Sequence, residues 1–410
     1  MQVADLHIHS KYSRATSKYM DLPGIVKGAK IKGLDIIGTG DFLHPVWLKE
    51  LKEKLSFSNG IYEYSNVKFV LTGEVSLMYK QDGRGRRVHH VIFAPSFDVL
   101  DQIIEFFSKK GRLDYDGRPI FGFSSIELVD EIKKISKDIE IIPAHIWTPW
   151  FSLFGSMSGF DSIKECFAEK SKHIHAIETG LSSDPAMNWL LSQLDDITLI
   201  SNSDSHSAHP HRLGRESNVF DLSAVNYKNI IEAIRTRKDF LYTIEVDPNY
   251  GKYHYDGHRK CNFSCSPAES LRLKNICPKC NHNLTIGVLN RIEHLADRSS
   301  PKKPKDAPEY KSLLPLMEII SSVMNVGLFT KKSMEIFNLL IDRFDNELNI
   351  LLSTQENELK KVVDQRIVKA IIDNRKGKIK VTPGYDGEYG IPVFDSIDKD
   401  KKQTGLNRFI

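Results

Sequence analysis

The sequence predicts an α/β fold in which helices cover a sheet, and three observations predict it. From the start to about residue 245, short β-branched runs alternate with helical stretches. That rhythm implies parallel strands covered by helices, in an open sheet or a barrel. Most of the runs end in polar residues, which is where such folds place active sites. Past residue 245 the rhythm stops, and a cysteine-rich segment leads into helical periodicity.

Taken in order, the first run, QVADLHIHS, ends Asp-x-His-x-His, and residues two apart on a strand share a face, so His7 and His9 point the same way. LDIIGTGD supplies Asp41, VKFVLTGE supplies Glu74, and RVHHVIFAP supplies His89 or His90. IEIIPAH ends in His145, and ITLISNSDSH ends in the pair Asp204 and His206. A second His-x-His, His173 and His175 in HIHAIETG, lies at a strand's start and reads as structural. One His-x-His is an ordinary core feature. Ligand-type residues on several strands form a joint pattern, and these nitrogen and carboxylate donors suit zinc, manganese or iron.

At 410 residues the chain is long enough for two or three domains. The boundaries expected are a catalytic barrel or sheet at 1–245, a cysteine module at 246–296, a helical domain at 297–396 and a tail at 397–410. A net charge of +4 permits a phosphate-rich partner without demanding one. No apolar run is long enough to span a bilayer, and the N-terminus enters a strand without a basic and apolar leader, so a cytoplasmic protein is expected. Cys166 stands alone. Cys261, Cys265, Cys277 and Cys280 form a C-x3-C and C-x2-C pair that can close a tetrahedral four-thiolate zinc site. A closed thiolate set leaves no open position, so its expected role is structural. The Gly/Ser-rich loop after His145 carries Trp147, Trp150, Phe151 and Phe154, an expected lid or pocket wall.

DLHIHSKYS, GLDIIGTGDF, TGEV, VHHVIFAP, PAH and NSDSH resemble, in order, the motifs of the PHP superfamily of metal-dependent phosphoesterases. The wording around them, including GTGDFLHPVW, PAHIWTPWFSLFGSMSGFD, IETGLSSDPAMNWLLSQLD and TPGYDGEYG, resembles the endonuclease Q family over most of the chain. The resemblance implies a PHP-type distorted (β/α)7 barrel with a trinuclear centre. By motif match His7, His9, Glu74 and Asp204 hold one metal, Glu74 bridges to a second held by His89 and His145, and Asp41 and His206 hold a third. Phe42 follows Asp41 where the superfamily has a His, so His44 is a replacement ligand or a phosphate contact.

The family's activity is cleavage of DNA on the 5′ side of deaminated bases (uracil, hypoxanthine, xanthine) and at abasic sites. Paired metals about 3.5–4 Å apart bring a shared water towards neutrality for attack on a phosphodiester. That water belongs with His7, His9, Glu74, His145 and Asp204, and the phosphate with His206 and His44. Zinc is expected in both sites, with Mg or Mn supporting activity. Trp147, Trp150, Phe151 and Tyr385 are candidate pocket residues for a flipped base. The alternatives are a PHP phosphatase of small esters and a catalytically silent DNA-binding or clamp-binding protein. The terminal QTGLNRFI resembles a PIP box, with Gln403, Leu406, Phe409 and Ile410 as anchors for the PCNA sliding clamp. That tail implies an archaeal, nucleoid-associated enzyme, and a monomer is expected.

Overall fold

The structure is a computed structural model, and it describes residues 1–394 of the chain. The clamp-binding residues Gln403, Leu406, Phe409 and Ile410 lie outside the described residues. Among the described residues no helix is long and apolar enough to cross a membrane.

The fold is mixed α/β. An eleven-stranded sheet has Gln2–Asp5 near its middle, parallel to Ile36–Gly38 on one side and antiparallel to Ser217–Phe220 on the other. Beyond Ile36–Gly38 lies Val67–Gln81, again parallel. A departure from the parallel expectation follows, because Val67–Gln81 turns straight back into Arg84–Ala94 as a long antiparallel hairpin. Its connection is Asp82-Gly83, both at positive φ (51° and 75°). Asp-Gly is the preferred pair for a tight hairpin turn, and two residues are too few for a crossover. Arg84–Ala94 then pairs antiparallel with Glu140–Pro143.

Ala176–Glu178 and Thr198–Ile200 form a separate parallel pair. The ladder therefore breaks on either side of this pair, and other hydrogen bonds cross the gaps. The Ile146 amide donates to the Glu178 carbonyl at 3.1 Å on one side. On the other, the Leu6 amide donates to Asn202 Oδ1 at 2.8 Å and the His9 amide to the Ser205 carbonyl at 2.9 Å. Ala4, Leu6, Ile36, Val70, Phe93, Ile142, Ala176, Ile200 and Phe220 meet in one buried cluster, so every strand from first to last of this set shares a core. The helix Tyr227–Thr236 packs its Ile230, Ile231 and Ile234 into the same cluster.

The chain then leaves the sheet for a small hairpin, Asp256–His258 with Phe263–Cys265, and comes back. On its return Glu309–Ser312 adds a parallel strand beside Phe240–Glu245. The helices Leu316–Met324, Lys331–Phe344, Glu347–Leu352 and Gln365–Arg375 follow. Of these, Glu347–Leu352 docks on the helix Leu22–Lys32, where buried Lys32 donates to Glu347 at 2.8 Å. The docking is close enough that a Cβ at Gly33 would lie 2.4 Å from Asn346, and φ of +96° there already favours glycine.

Candidate metal centre

Glu74 sits in the middle of a strand, fully buried, and its two oxygens face different sets of donors. Oε2 lies 3.2 Å from His9 Nε2 and 3.6 Å from His7 Nε2. Oε1 lies 2.7 Å from His89 Nδ1 and 3.3 Å from His145 Nε2. Asp204 joins the first set, its Oδ1 3.1 Å from His9 Nε2 and 3.7 Å from His7 Nε2. His7, His9, Glu74 and Asp204 therefore form one group whose donor atoms lie within 4.8 Å of one another, and Glu74, His89 and His145 form a second. The strand alternation decides between the two adjacent histidines. His89 faces Glu74, while His90 points to the other face and bonds Ser125 at 2.9 Å.

These donors fit metal cations. Buried His7 Nε2, His9 Nε2 and Asp204 Oδ1 have no hydrogen-bond partner, a costly arrangement unless a cation binds there. Each imidazole of the first pair is aimed by a carboxylate behind it, His7 Nδ1 by Glu178 at 2.9 Å and His9 Nδ1 by Asp41 at 2.9 Å. That is the outer-shell arrangement that fixes tautomer and ring orientation in metal-ligating histidines. Burial alone would raise the Glu74 carboxyl, but the charges of His89 and Arg118 hold it well below the usual range. Burial likewise opposes charge on His7 and His9, and the neighbouring carboxylates Glu178 and Asp41 raise both well above the ordinary imidazole value. His145 at φ 29°, Asp204 at 48°, Asp41 at 48° and Phe151 at 58° all take left-handed backbone, a form of strain that clusters at functional sites.

Among the described residues, Asp41, His206 and His44 are not among the converging donor groups. Asp41 is wholly buried, and its Oδ2 accepts the Ser10 amide at 2.6 Å, the Ser10 hydroxyl at 2.7 Å and the Ser13 hydroxyl at 2.9 Å. With His9 on Oδ1, its acceptor positions serve the protein. His206 directs Nδ1 to the Asp204 carbonyl at 3.0 Å, and its ring centre lies 4.4 Å from that of His9, the planes tilted by 44°. His44 lies flat on Tyr12, ring centres 4.5 Å apart, at the start of the helix Pro45–Lys54. Arg118, which sequence reading passed over, also reaches the centre. Its guanidinium donates to Glu74 Oε2 at 3.0 Å.

The aromatic loop divides. Trp147 is core rather than pocket wall: it is buried, donates to Asn188 at 2.8 Å and packs on Phe154. Phe151 lies 4.9 Å from the His89 ring, and Trp150 meets Tyr253 edge to face at 6.0 Å. Tyr385 is held on the hairpin module, where its hydroxyl donates to Asn262 at 2.7 Å and its ring covers Gly257. His175, read as structural, bonds Glu140 at 2.6 Å.

The cysteine module needs one correction. Its converging donors are His258, Cys261, Cys277 and Cys280, with Cys265 outside the group. The hairpin register explains why. His258 pairs with Phe263, so Cys265 lies two residues further along the strand, roughly 7 Å away, opposite Asp256. There it packs with Cys277 and Leu284 in one small cluster, against which Cys261 and Cys280 also lie. Burial would raise the Cys277 thiol, but the Lys279 amide and His258 bring it down, which favours the thiolate. A three-thiolate and one-imidazole set suits zinc as well as four thiolates do.

Residues 315–378 match the family model described as the MJ0043 C-terminal domain. An uncharacterized protein of Methanocaldococcus jannaschii, MJ0043, is 37% identical over 271 residues, covering 64% of this chain and 33% of that protein. The chain thus spans about a third of that relative. The uncharacterized protein YqxK of Bacillus subtilis is 26% identical over 94% of this chain and 98% of its own length. Among solved structures, the lesion-specific endonuclease PfuEndoQ of Pyrococcus furiosus superposes with a TM-score of 0.87 at 34% identity, covering 100% of this chain and 99% of that one. An endonuclease Q in complex with a 27-mer duplex carrying an abasic lesion superposes with a TM-score of 0.88 at 35% identity, over 99% and 100%. Likeness of that extent, end to end on both sides, shows that the chain belongs to the endonuclease Q family.

Proposed function

We propose that this chain is a metal-dependent DNA repair endonuclease that hydrolyses the phosphodiester 5′ of deaminated bases (uracil, hypoxanthine, xanthine) and at abasic sites. One observation carries the reading: Glu74 turns one oxygen to each of two donor groups, as a carboxylate bridging a pair of cations would. The lesion specificity rests on the family, one member of which has been solved on abasic duplex. A distorted PHP-type barrel fits the single core shared by the strands.

His7, His9, Asp204 and Glu74 would hold one cation, and Glu74, His89 and His145 a second. When bound, such a pair activates water and withdraws charge from a phosphate. The chain's own part is to aim the ligands. Glu178 and Asp41 hold the imidazoles with Nε2 forward, and Thr148 contacts His145 Nδ1 at 3.2 Å. Phe151 offers an aromatic face beside the centre, with Trp150 next to it in the chain, the kind of surface on which a base drawn out of the stack is held. The His258, Cys261, Cys277 and Cys280 module would take a structural zinc. The PIP-box-like tail is proposed to tether the enzyme to PCNA, raising its local concentration on DNA.

Duplexes differing at one position (normal, uracil, hypoxanthine, xanthine or abasic) test this with Mg²⁺ or Mn²⁺, with and without chelator. The expected result is a chelator-sensitive nick on the 5′ side of the altered residue that is lost in Asp204→Ala. Intact DNA combined with turnover of a small phosphate ester would move the phosphatase reading to first place.

A further inference from the structure

We infer that the centre is binuclear and that the guanidinium of Arg118 takes the part of a third cation, balancing charge on the scissile phosphate. This rests on the nuclease reading above and adds to it a residue outside every motif that suggested that reading.

Two independent features carry the inference. The first is that Asp41, the one carboxylate expected at a third metal, is taken up by the protein. Both oxygens of Asp41 are committed, to His9, Ser10 and Ser13. The main chain of Gly117 lies directly on that carboxylate, so close that a Cβ there would sit 2.3 Å from Asp41 Cγ and Oδ2 and 2.4 Å from Ser13 Oγ. The Gly117 amide is tied to the Tyr12 carbonyl at 3.1 Å, which fixes the segment in place. The space in front of Asp41 is therefore filled by protein.

The second feature is what the same segment delivers. Asp116 is buried and accepts the amides of Arg14 and Arg118, closing a tight turn over Gly117. The next side chain, Arg118, reaches Glu74 Oε2, the oxygen that faces His7 and His9. It is 29% exposed, and among the described residues its guanidinium makes no other hydrogen bond, so its remaining N–H donors are available to a ligand. A planar, permanently charged fork suits phosphate oxygens. In the hydrolysis, the bond from a water oxygen to phosphorus forms and the bond from phosphorus to the sugar oxygen breaks. Through solvent, the proton the water loses reaches the leaving sugar oxygen. Arg118 hydrogen-bonds a non-bridging oxygen as charge builds there.

The test uses crystals of the full chain soaked in Mn²⁺, read by anomalous scattering, together with single-turnover nicking of abasic duplex. Two peaks are expected, one among His7, His9, Glu74 and Asp204 and one among Glu74, His89 and His145. Arg118→Met should retain both peaks and bind abasic duplex within about threefold of wild type, while its nicking rate falls about 10²–10³-fold, as for loss of one oxyanion donor. Arg118→Gln should behave alike, and it decides the matter if the Met variant does not fold. A third peak at Asp41 and His206, or nicking at the wild-type rate by the variant, would overturn the inference and leave the nuclease reading standing. Wild-type protein that nicks none of the altered duplexes would overturn both.

Discussion

Glu74 is the one side chain shared by both donor groups, and its loss is not equivalent to the loss of a single ligand. Glu74→Gln removes the charge that both sets of imidazoles face, so calorimetric titration with Mn²⁺ should show binding lost at both positions and nicking should fall by at least about 10³-fold. Glu178 acts one step back. Glu178→Gln leaves every donor in place but weakens the aim of His7, and metal affinity should drop about 10–100-fold in the same titration. The ligand residues were legible because each lies on or just beyond a strand, and His7 and His9 come as a period-two pair. Glu178 was visible in HIHAIETG, but its partnership with His7 spans 171 positions of sequence and only folding discloses it. Arg118 lies in a loop with no periodic signal, which is why sequence reasoning did not find it.

At the scale of elements, the cysteine module shows how register overrides spacing. C-x3-C and C-x2-C announced a metal site, yet the converging donors take in His258 and leave Cys265 packed beside Cys277. Metal analysis of purified protein separates the two ligand sets: Cys265→Ser should keep the same metal content, whereas His258→Ala or Cys261→Ser should lose about one metal per chain and lower the melting temperature, since bound metal there is folding energy. The loop bearing Gly117 has a comparable constraint. Gly117→Ala puts a methyl group against the Asp41 carboxylate, and urea unfolding should show a loss of about 1–3 kcal/mol, the usual cost of overpacking. The alternation of strands and helices announced an α/β fold, and the fold is mixed α/β. It missed the long hairpin Val67–Gln81 to Arg84–Ala94, although Asp82-Gly83 marked its turn.

At the scale of the whole molecule, the helical region and the sheet are joined through the buried Lys32 and Glu347 pair, side chains 2% and 0% exposed. Lys32→Met alone strands a buried carboxylate and should cost about 3–5 kcal/mol by urea unfolding, while Lys32→Met with Glu347→Leu should recover much of it. The expected division at residue 297 did not foresee this joint, because nothing in the composition of either segment marks a contact across 315 positions. The return strand Glu309–Ser312 has a further consequence. It satisfies the outer rim of Phe240–Glu245, whose amides and carbonyls would otherwise form an open template for a neighbouring molecule. A chain cut after the cysteine module would keep every metal ligand and still expose that rim, so the segment behind the catalytic half also protects it from self-association.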